Sequence, residues 1–226
     1  NTIGAMLGSL LAGFVLLPRL GIEATFFGVA AGYGVVALLT IPRGMRFQTL
    51  PQRAIGIPVL VLFVGALAIF PWGLMENQYI RRSYLAFTAD GSTAIDSREG
   101  LLDTIVYMRK DVYGRPSYYR LVTNGFSMSA TGMGERYQKL YIYIPVALRP
   151  EPKSALQISF GVGATARALV AVKSLETIDI VDVSRDNTEM SHLVLPSEPH
   201  PLDDEDRVRL HIEDGRYFLQ TTDRQF

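Results

Sequence analysis

The chain has 226 residues, enough for one or two domains, and its 22 basic and 22 acidic residues leave no formal net charge. It contains no cysteine, which excludes disulfides, thiolate metal sites and a cysteine nucleophile. Residues 1–75 hold a single acid, Glu23, and four arginines, whereas the remainder is slightly acidic. That balance argues against nucleic acid as a partner, because nucleic acid is bound by clustered Lys and Arg.

Three apolar runs without a charged residue begin the chain, at residues 2–18, 24–42 and 54–72. A membrane-spanning helix needs about 20 mostly apolar residues, because the hydrocarbon layer is about 30 Å thick. The runs therefore predict a transmembrane region over residues 1–75 with about three helices and the lipid bilayer as a partner. The alternative is three buried helices of a soluble protein, but such helices normally show a polar face.

Small residues predict where these helices approach one another. Gly4 and Gly8, and likewise Gly28 and Gly32, are four positions apart, so each pair lies on one helix face where two backbones can come close. Trp72, at the end of the third run, suits the membrane interface, where aromatic side chains are common.

Arginines near the ends of the apolar runs bear on how the predicted helices are oriented across the membrane. The loop 43–53 contains three arginines and favours the cytoplasmic side of a membrane. On the opposite side lie Arg19, Arg81 and Arg82, which balance that preference. The sequence therefore leaves open the side of the membrane on which the C-terminal part lies.

Residues 76–100 are mixed in character and are predicted to be a connector. Residues 101–134 favour a small β-hairpin domain, with strands at 104–108 and 118–123 that are rich in β-branched and aromatic residues. Asn124 and Gly125 follow the second strand directly, and this dipeptide is a strong signal for a tight turn. A small antiparallel sheet is expected here.

Residues 135–226 alternate between helical and strand patterns, which predicts a parallel sheet with right-handed crossovers. The fold class predicted for the whole chain is N-terminal transmembrane α-helices followed by α/β. Its soluble part combines the small antiparallel unit with a Rossmann-like, methyltransferase-type parallel sheet that is incomplete at the C-terminus. The predicted elements are a helix at 135–148, a strand at 155–160, a helix at 164–174, and strands at 177–183 and 207–212.

Three features are predicted to follow the strands at the edge where open α/β sheets bind ligands. Gly161 and Gly163 come after the first strand, where the absence of a Cβ lets backbone N–H groups approach a ligand. Asp182 ends the second strand and is placed to accept hydrogen bonds from a ribose. Asp214 and Gly215 follow the third strand, where a carboxylate can meet a base. Together they predict a nucleoside pocket. Taken singly, the two glycines are equally explained by a tight turn, Asp182 by a solvated strand-end acid or a helix cap, and Asp214 with Gly215 by a turn.

With these features the chain resembles the spermidine synthase family, especially bacterial members that join a multi-pass apolar region to the synthase domain. That resemblance implies a protein of the bacterial inner membrane. The pieces that carry it are residues 1–13, Thr123-Asn-Gly125, Glu135-Arg-Tyr-Gln138, Gly161-Val-Gly-Ala-Thr-Ala-Arg167, Asp179-Ile-Val-Asp182 and Glu213-Asp-Gly-Arg-Tyr-Phe-Leu219.

The family implies decarboxylated S-adenosylmethionine, or S-adenosylmethionine, as co-substrate and a small amine as acceptor, with no metal. Carried over by position, Gly161 and Gly163 would face the nucleoside. Asp182 would hold the ribose, and Asp214 with Gly215 the adenine. Binding of the acceptor would fall to Tyr137 and Gln138. The catalytic aspartate is expected beyond Phe226, so a chain ending there should be inactive.

Several positions depart from the family pattern. Where synthases have Tyr-His-Glu, this chain has Tyr-Gln-Lys ending at Lys139, and the glycine turn has Val162 in place of an aspartate. Two glutamines of the family fall at Met128 and around Asp103. The nucleoside half of the site is retained, and the amine half is altered.

Two other functions compete with an aminopropyltransferase. One is an S-adenosylmethionine-dependent methyltransferase on the same fold, which would have to accept the carboxylate of its donor. The other is a transporter-like or sensory membrane protein whose synthase domain is degenerate. His192, His200 and His211 are too few and scattered to predict a metal site, and the sequence is compatible with a homo-oligomer.

Overall fold

The computed structural model describes residues 2–40, 50–149, 151–204 and 206–226. The chain divides into two compact units, Asn1–Tyr79 and Ile80–Phe226. Most of the basic loop on which the orientation argument rested, residues 43–49, lies outside the described residues, and so does the side chain of Arg53.

The N-terminal unit begins with a long helical run made of α1 (Thr2–Leu11), a π-helical turn (Ala12–Leu16) and α2 (Leu17–Thr40). Gly21 interrupts α2, because its φ of 74° and ψ of 174° are not helical. The first two predicted apolar runs are thus joined in one helical run that is broken at a glycine.

Helix α3 (Leu50–Ala68) packs antiparallel to the second half of α2. Phe27 lies 5.4 Å from Phe70 and 5.1 Å from Trp72, ring centre to ring centre, so an early position of α2 meets residues that follow α3. Gly34 meets the middle of α3, where a Cβ on this glycine would lie 2.3 Å from the Phe63 ring. The close approach is therefore at Gly34.

The predicted glycine pairs do not make this contact. A Cβ built on Gly4, Gly8, Gly28 or Gly32 has no other heavy atom of the described residues within 4 Å. Spacing along one helix shows which residues share a face, but it does not show which face the neighbouring helix uses, and among the described residues the predicted approach is not observed.

Among the described residues, one helix is long and apolar enough to cross a membrane, and it is the run Thr2–Thr40. The described apolar part of α3, Gly56–Ala68, is shorter. Among the described residues, helix length and composition therefore support one spanning helix and not about three, because the first two predicted runs form a single helical run.

The second unit opens with short helical turns, including α4 (Arg81–Tyr84), and continues into a four-stranded antiparallel sheet in the order β1-β2-β3-β4. Strand β1 falls within the segment predicted as a connector, where its alternation of apolar and polar residues is weak. Asn124 and Gly125 both have positive φ, as a tight hairpin turn requires. The strands are β1 (Thr93–Glu99), β2 (Thr104–Val112), β3 (Arg115–Thr123) and β4 (Phe126–Ala130).

A three-stranded parallel sheet follows, in the order β5-β6-β7, and helices alternate with its strands. The carboxyl ends of its three parallel strands all lie at one edge of the sheet. The second unit therefore has the predicted combination of an antiparallel and a parallel sheet. The elements are α5 (Glu135–Leu148), β5 (Ser154–Ile158), α6 (Ala164–Ala171), β6 (Thr177–Asp182), α7 (Arg185–Met190), β7 (Val208–Ile212) and α8 (Gly215–Thr221).

One hydrophobic cluster joins the antiparallel sheet to the turn after β5. Tyr107 of β2 packs in it with Val162, which is 1% exposed, and with Met190 of α7. A second cluster, around Ile178 and Ile180 of β6, lies between the parallel sheet and its helices. The antiparallel sheet is thus packed against the edge of the parallel sheet where a ligand is expected.

Asp179 of β6 has an exposed fraction of 0%, and its carboxylate accepts hydrogen bonds from Arg224 and lies 2.9 Å from His211 Nε2. We expect Asp179→Ala to lower the free energy of unfolding by about 1.5–3 kcal/mol, the usual contribution of hydrogen bonds to charged groups. Urea unfolding measures the change. The matched control, Asp223→Ala at an exposed position, should stay within about 0.5 kcal/mol. Equal effects of the two variants would contradict a stabilising role for Asp179.

Candidate functional site

A cavity of about 380 Å³ lies beyond the carboxyl ends of β5 and β6, against β3 and β4 of the antiparallel sheet. Pockets for small molecules usually measure about 300–1,000 Å³, so its size suits a ligand. Two of the predicted site residues, Gly161 and Asp182, line it. The lining residues are Asp103, Leu121, Thr123, Phe126, Ser129, Ser159, Gly161, Asp182, Val183, Ser184 and Asn187.

The turn after β5 is held by a side chain of the antiparallel sheet. Ser129 Oγ accepts a hydrogen bond from the backbone N–H of Val162 at 2.9 Å. Gly161 has a φ of 59°, and a Cβ at this position would lie 2.4 Å from the same hydroxyl. Glycine is therefore required here both by the backbone and by the close approach of Ser129.

Asp182 binds the two chain segments that leave β5 and β6. One carboxylate oxygen accepts from the backbone N–H of Phe160 at 2.7 Å, and the other from that of Ser184 at 2.8 Å. The Asn187 side-chain amide adds a contact of 3.4 Å. A carboxylate has about four acceptor positions. Three protein donors therefore leave room for about one bond to a ligand, fewer than the two ribose hydroxyls that the sequence suggested.

A buried hydrogen-bond chain connects Asp182 to the antiparallel sheet. Tyr107 Oη donates to Asn187 Oδ1 at 2.8 Å, and Ser184 Oγ accepts from the Asn187 backbone N–H at 3.1 Å as the cap of α7. Burial raises the pKa of the Tyr107 hydroxyl above its ordinary value, so it stays a donor. Tyr107 and Asn187 thus orient Asp182, although neither residue lies in a sequence pattern that predicts this role.

A second acid faces the cavity. Ser184 Oγ donates to Asp103 Oδ1 at 3.3 Å. Burial raises the pKa of the Asp103 carboxyl, the hydrogen bond from Ser184 opposes this, and the negative charges of Asp186 and Asp182 add to the rise. The sequence marked Asp103 only as a departure from the family, since a polar residue in a loop carries no pattern of its own.

The predicted residues Asp214, Gly215 and Gly163 have other contacts. Asp214 caps α8 by accepting from the Tyr217 backbone N–H at 2.9 Å, a role that the sequence did not predict for it. Gly215 packs against Ile158, where a Cβ would lie 2.5 Å from Cγ2. Gly163 caps the start of α6 with a φ of 76°. These three lie near the same sheet edge but are not among the residues that line the cavity.

Tyr137 and Gln138, predicted to bind the acceptor, lie on α5. Gln138 is buried and its amide donates to Tyr137 Oη at 3.3 Å. The Tyr137 ring contacts that of Tyr141, with centres 5.8 Å apart. Neither residue is among those that line the cavity, and their role in binding an amine stays a prediction.

Two histidines predicted to be scattered are close together. The rings of His192 and His200 lie 3.9 Å apart, and ligand atoms of this pair and Asp203 lie within 4.8 Å of one another. However, His200 Nε2 is 3.0 Å from Ser191 Oγ, and Nδ1 accepts from the Leu202 backbone N–H at 3.3 Å. Burial lowers the pKa of His200 to about 4, so it is neutral and both its nitrogens are engaged within the protein.

Comparison with known proteins bears on the same region. Residues 134–226 match the family model of the spermine/spermidine synthase domain. The resemblance to spermidine synthases is confirmed. Over 121 residues the chain is 29% identical to a polyamine aminopropyltransferase from Clostridium perfringens, covering 53% of this chain and 42% of the relative. It is 28% identical over 130 residues to a polyamine aminopropyltransferase from Clostridium botulinum, covering 57% of this chain and 45% of that relative.

Solved structures of spermidine synthases share the fold. The Thermotoga maritima enzyme superposes with a TM-score of 0.51 at 22% identity. A spermidine synthase in complex with the transition-state analogue AdoDATO also superposes with a TM-score of 0.51, at 21% sequence identity. Each match covers 59% of this chain and 45% of the other. The chain thus spans less than half the length of the relatives it matches, and at this identity the likeness shows the synthase fold.

Tyr107→Phe tests the buried chain behind the cavity. Removing the hydroxyl leaves the buried Asn187 Oδ1 without its donor, which should cost about 1–3 kcal/mol of folding stability. Thermal unfolding monitored by circular dichroism measures the loss. The control is Tyr113→Phe, at a side chain that is 101% exposed, and it should leave the melting temperature unchanged. If the two variants melt alike, Tyr107 does not support the site.

Proposed function

We propose that the protein is a transferase of the aminopropyltransferase type that binds decarboxylated S-adenosylmethionine, or a related adenosyl nucleoside, in this cavity. The observation that carries the proposal is the convergence of Gly161 and Asp182 on one hollow at the carboxyl edge of the parallel sheet. The match to the synthase domain and the solved complex with a transition-state analogue support the same ligand class.

The chemistry of such a transfer is balanced within the two substrates. A neutral amine attacks the carbon next to the sulfonium, the new N–C bond forms as the C–S bond breaks, and a neutral thioether leaves. The attacking nitrogen must lose a proton, and a nearby carboxylate assists by accepting it and by orienting the amine. Asp182 would take one ribose hydroxyl, and Tyr137 and Gln138 remain the residues predicted to bind the amine.

A methyltransferase and a non-catalytic nucleoside-binding protein are the competing functions. A thermal-shift screen of the full-length protein separates an aminopropyltransferase from a methyltransferase by the preferred ligand, because a ligand of the native state raises the melting temperature. Decarboxylated S-adenosylmethionine should give the largest shift. A larger shift with S-adenosylmethionine would favour a methyltransferase, and a shift with NAD alone would point to a dinucleotide.

Asp182→Ala should weaken binding of methylthioadenosine by at least tenfold, about 1.4 kcal/mol. The change removes a ligand contact and also the acceptor that holds Phe160 and Ser184 in place. Titration calorimetry on the full-length protein measures the affinity. The control, Asp206→Ala at an exposed position, should bind as the wild type does. Unchanged affinity in Asp182→Ala would refute the pocket assignment.

We also propose that the N-terminal unit crosses a membrane more than once. The helical run of 39 residues would be about 58 Å long at 1.5 Å per residue, nearly twice the thickness of the hydrocarbon layer. The break at Gly21 divides it into halves that each approach one crossing. Glu23, which accepts from the Gly73 and Met75 backbone N–H groups, lies with Trp72 at one end of the α2–α3 pair, as interfacial residues do.

Cysteine labelling tests the number of crossings, because the chain has no cysteine of its own. Arg46→Cys and Gln78→Cys flank α3, so a crossing by α3 predicts that a membrane-impermeant thiol reagent labels them from opposite sides. Labelling from the same side would contradict that crossing. Recovery of the intact protein as a soluble monomer without detergent would reject membrane insertion altogether.

A further inference from the structure

The charges around the cavity are of one sign. Its lining contains two acids, Asp103 and Asp182, and no Lys, Arg or His among the residues that the structure describes there. Val162, in the glycine turn, is buried in the hydrophobic cluster and offers the cavity no charge. Any charge selection in this cavity therefore comes from the two aspartates.

The two carboxylates differ in how much of their charge the protein already compensates. Asp182 accepts from two backbone N–H groups and an amide. Asp103 accepts from the hydroxyl of Ser184. The nearby Arg98 is engaged elsewhere, since it pairs with Asp186 at 3.1 Å and with Glu189 at 2.7 Å. Asp103 is thus the acid whose charge is left for a ligand.

Ser184 lies between the two acids and forms a hydrogen bond to each of them. The backbone N–H of Ser184 donates to Asp182, and its hydroxyl donates to Asp103. A ribose held at Asp182 would therefore lie close to Asp103, within reach of a substituent on the sugar. The apolar side chains of Leu121 and Val183 line the same cavity, and such walls weaken the screening of charges by water.

We propose that Asp103 is a specificity-determining residue that receives the positively charged group of the nucleoside, a sulfonium with or without a nearby ammonium. The proposal rests on the nucleoside function proposed above and names the ligand class of that same site. It requires that Asp103 discriminate among nucleosides by charge, and that ligands with the same adenosine but no positive charge gain nothing from it.

Asp103→Asn in the full-length protein tests this with three ligands of one adenosine scaffold. Methylthioadenosine is neutral, S-adenosylmethionine carries one net positive charge, and decarboxylated S-adenosylmethionine carries two. We expect the affinity of the variant for methylthioadenosine to stay within twofold of wild type. Its affinity for decarboxylated S-adenosylmethionine should fall at least tenfold, and its affinity for S-adenosylmethionine should fall by an intermediate factor. Asp103→Glu, which restores the charge, should recover part of the preference. Calorimetric titration gives all three affinities.

Asp96→Asn is the matched control, because it removes an exposed acid from the same sheet and should change none of the affinities. An equal loss for all three ligands in Asp103→Asn would make Asp103 a structural residue and overturn the proposal. Unchanged binding of the charged ligands would overturn it as well. In both cases wild-type binding of methylthioadenosine would leave the nucleoside function standing. If the wild type binds none of the three, the function itself is wrong and the proposal falls with it.

Discussion

The site depends on one carboxylate that is almost entirely shielded from water. Parallel strands deliver their chain ends to one edge of the sheet, where backbone N–H groups leave the ladder and need new acceptors. Asp182, 6% exposed, accepts from Phe160 after β5 and from Ser184 after β6. A charge buried this far is tolerated only because these donors compensate it. The glycine turn and the start of α7 are consequently held at a common centre, and the cavity is the space left beside it.

The antiparallel sheet is a wall of that cavity. Tyr107 reaches from β2 to Asn187, and Ser129 reaches from β4 to the backbone of the glycine turn. Both contacts are buried or partly buried and specific in geometry. The ion pairs of Arg98 with α7 join the same parts of the chain, but they are partly exposed and contribute less. The union of the two sheets thus rests on a few buried hydrogen bonds and the hydrophobic cluster around Tyr107.

Two aspartates of one cavity have different environments and therefore different uses. Asp182 is surrounded by donors and holds the fold of the site together. Asp103 has one hydroxyl partner and lies near other acids, so a proton or a cationic ligand relieves its charge. Such separation of two carboxylates by their surroundings is how a single site assigns distinct roles to chemically identical groups. In the proposed function, it would separate anchoring of the nucleoside at Asp182 from selection by charge at Asp103.

Local patterns determined the elements of this protein. Alternation and helical spacing predicted the elements β2, β3, α5, β5, α6, β6 and β7, and Asn124 with Gly125 predicted a hairpin turn, because these signals act between neighbours in the chain. Gly161 and Asp182 were predicted to lie together because parallel strands end at one edge, and both line the cavity. Only the tertiary structure decided that Asp214 caps a helix, that Gly34 is the helix contact, that Asp103 lines the cavity and that Tyr107 bonds to Asn187 behind it. Those roles depend on contacts between residues that are far apart in sequence, and the spacing of neighbouring residues does not predict such contacts.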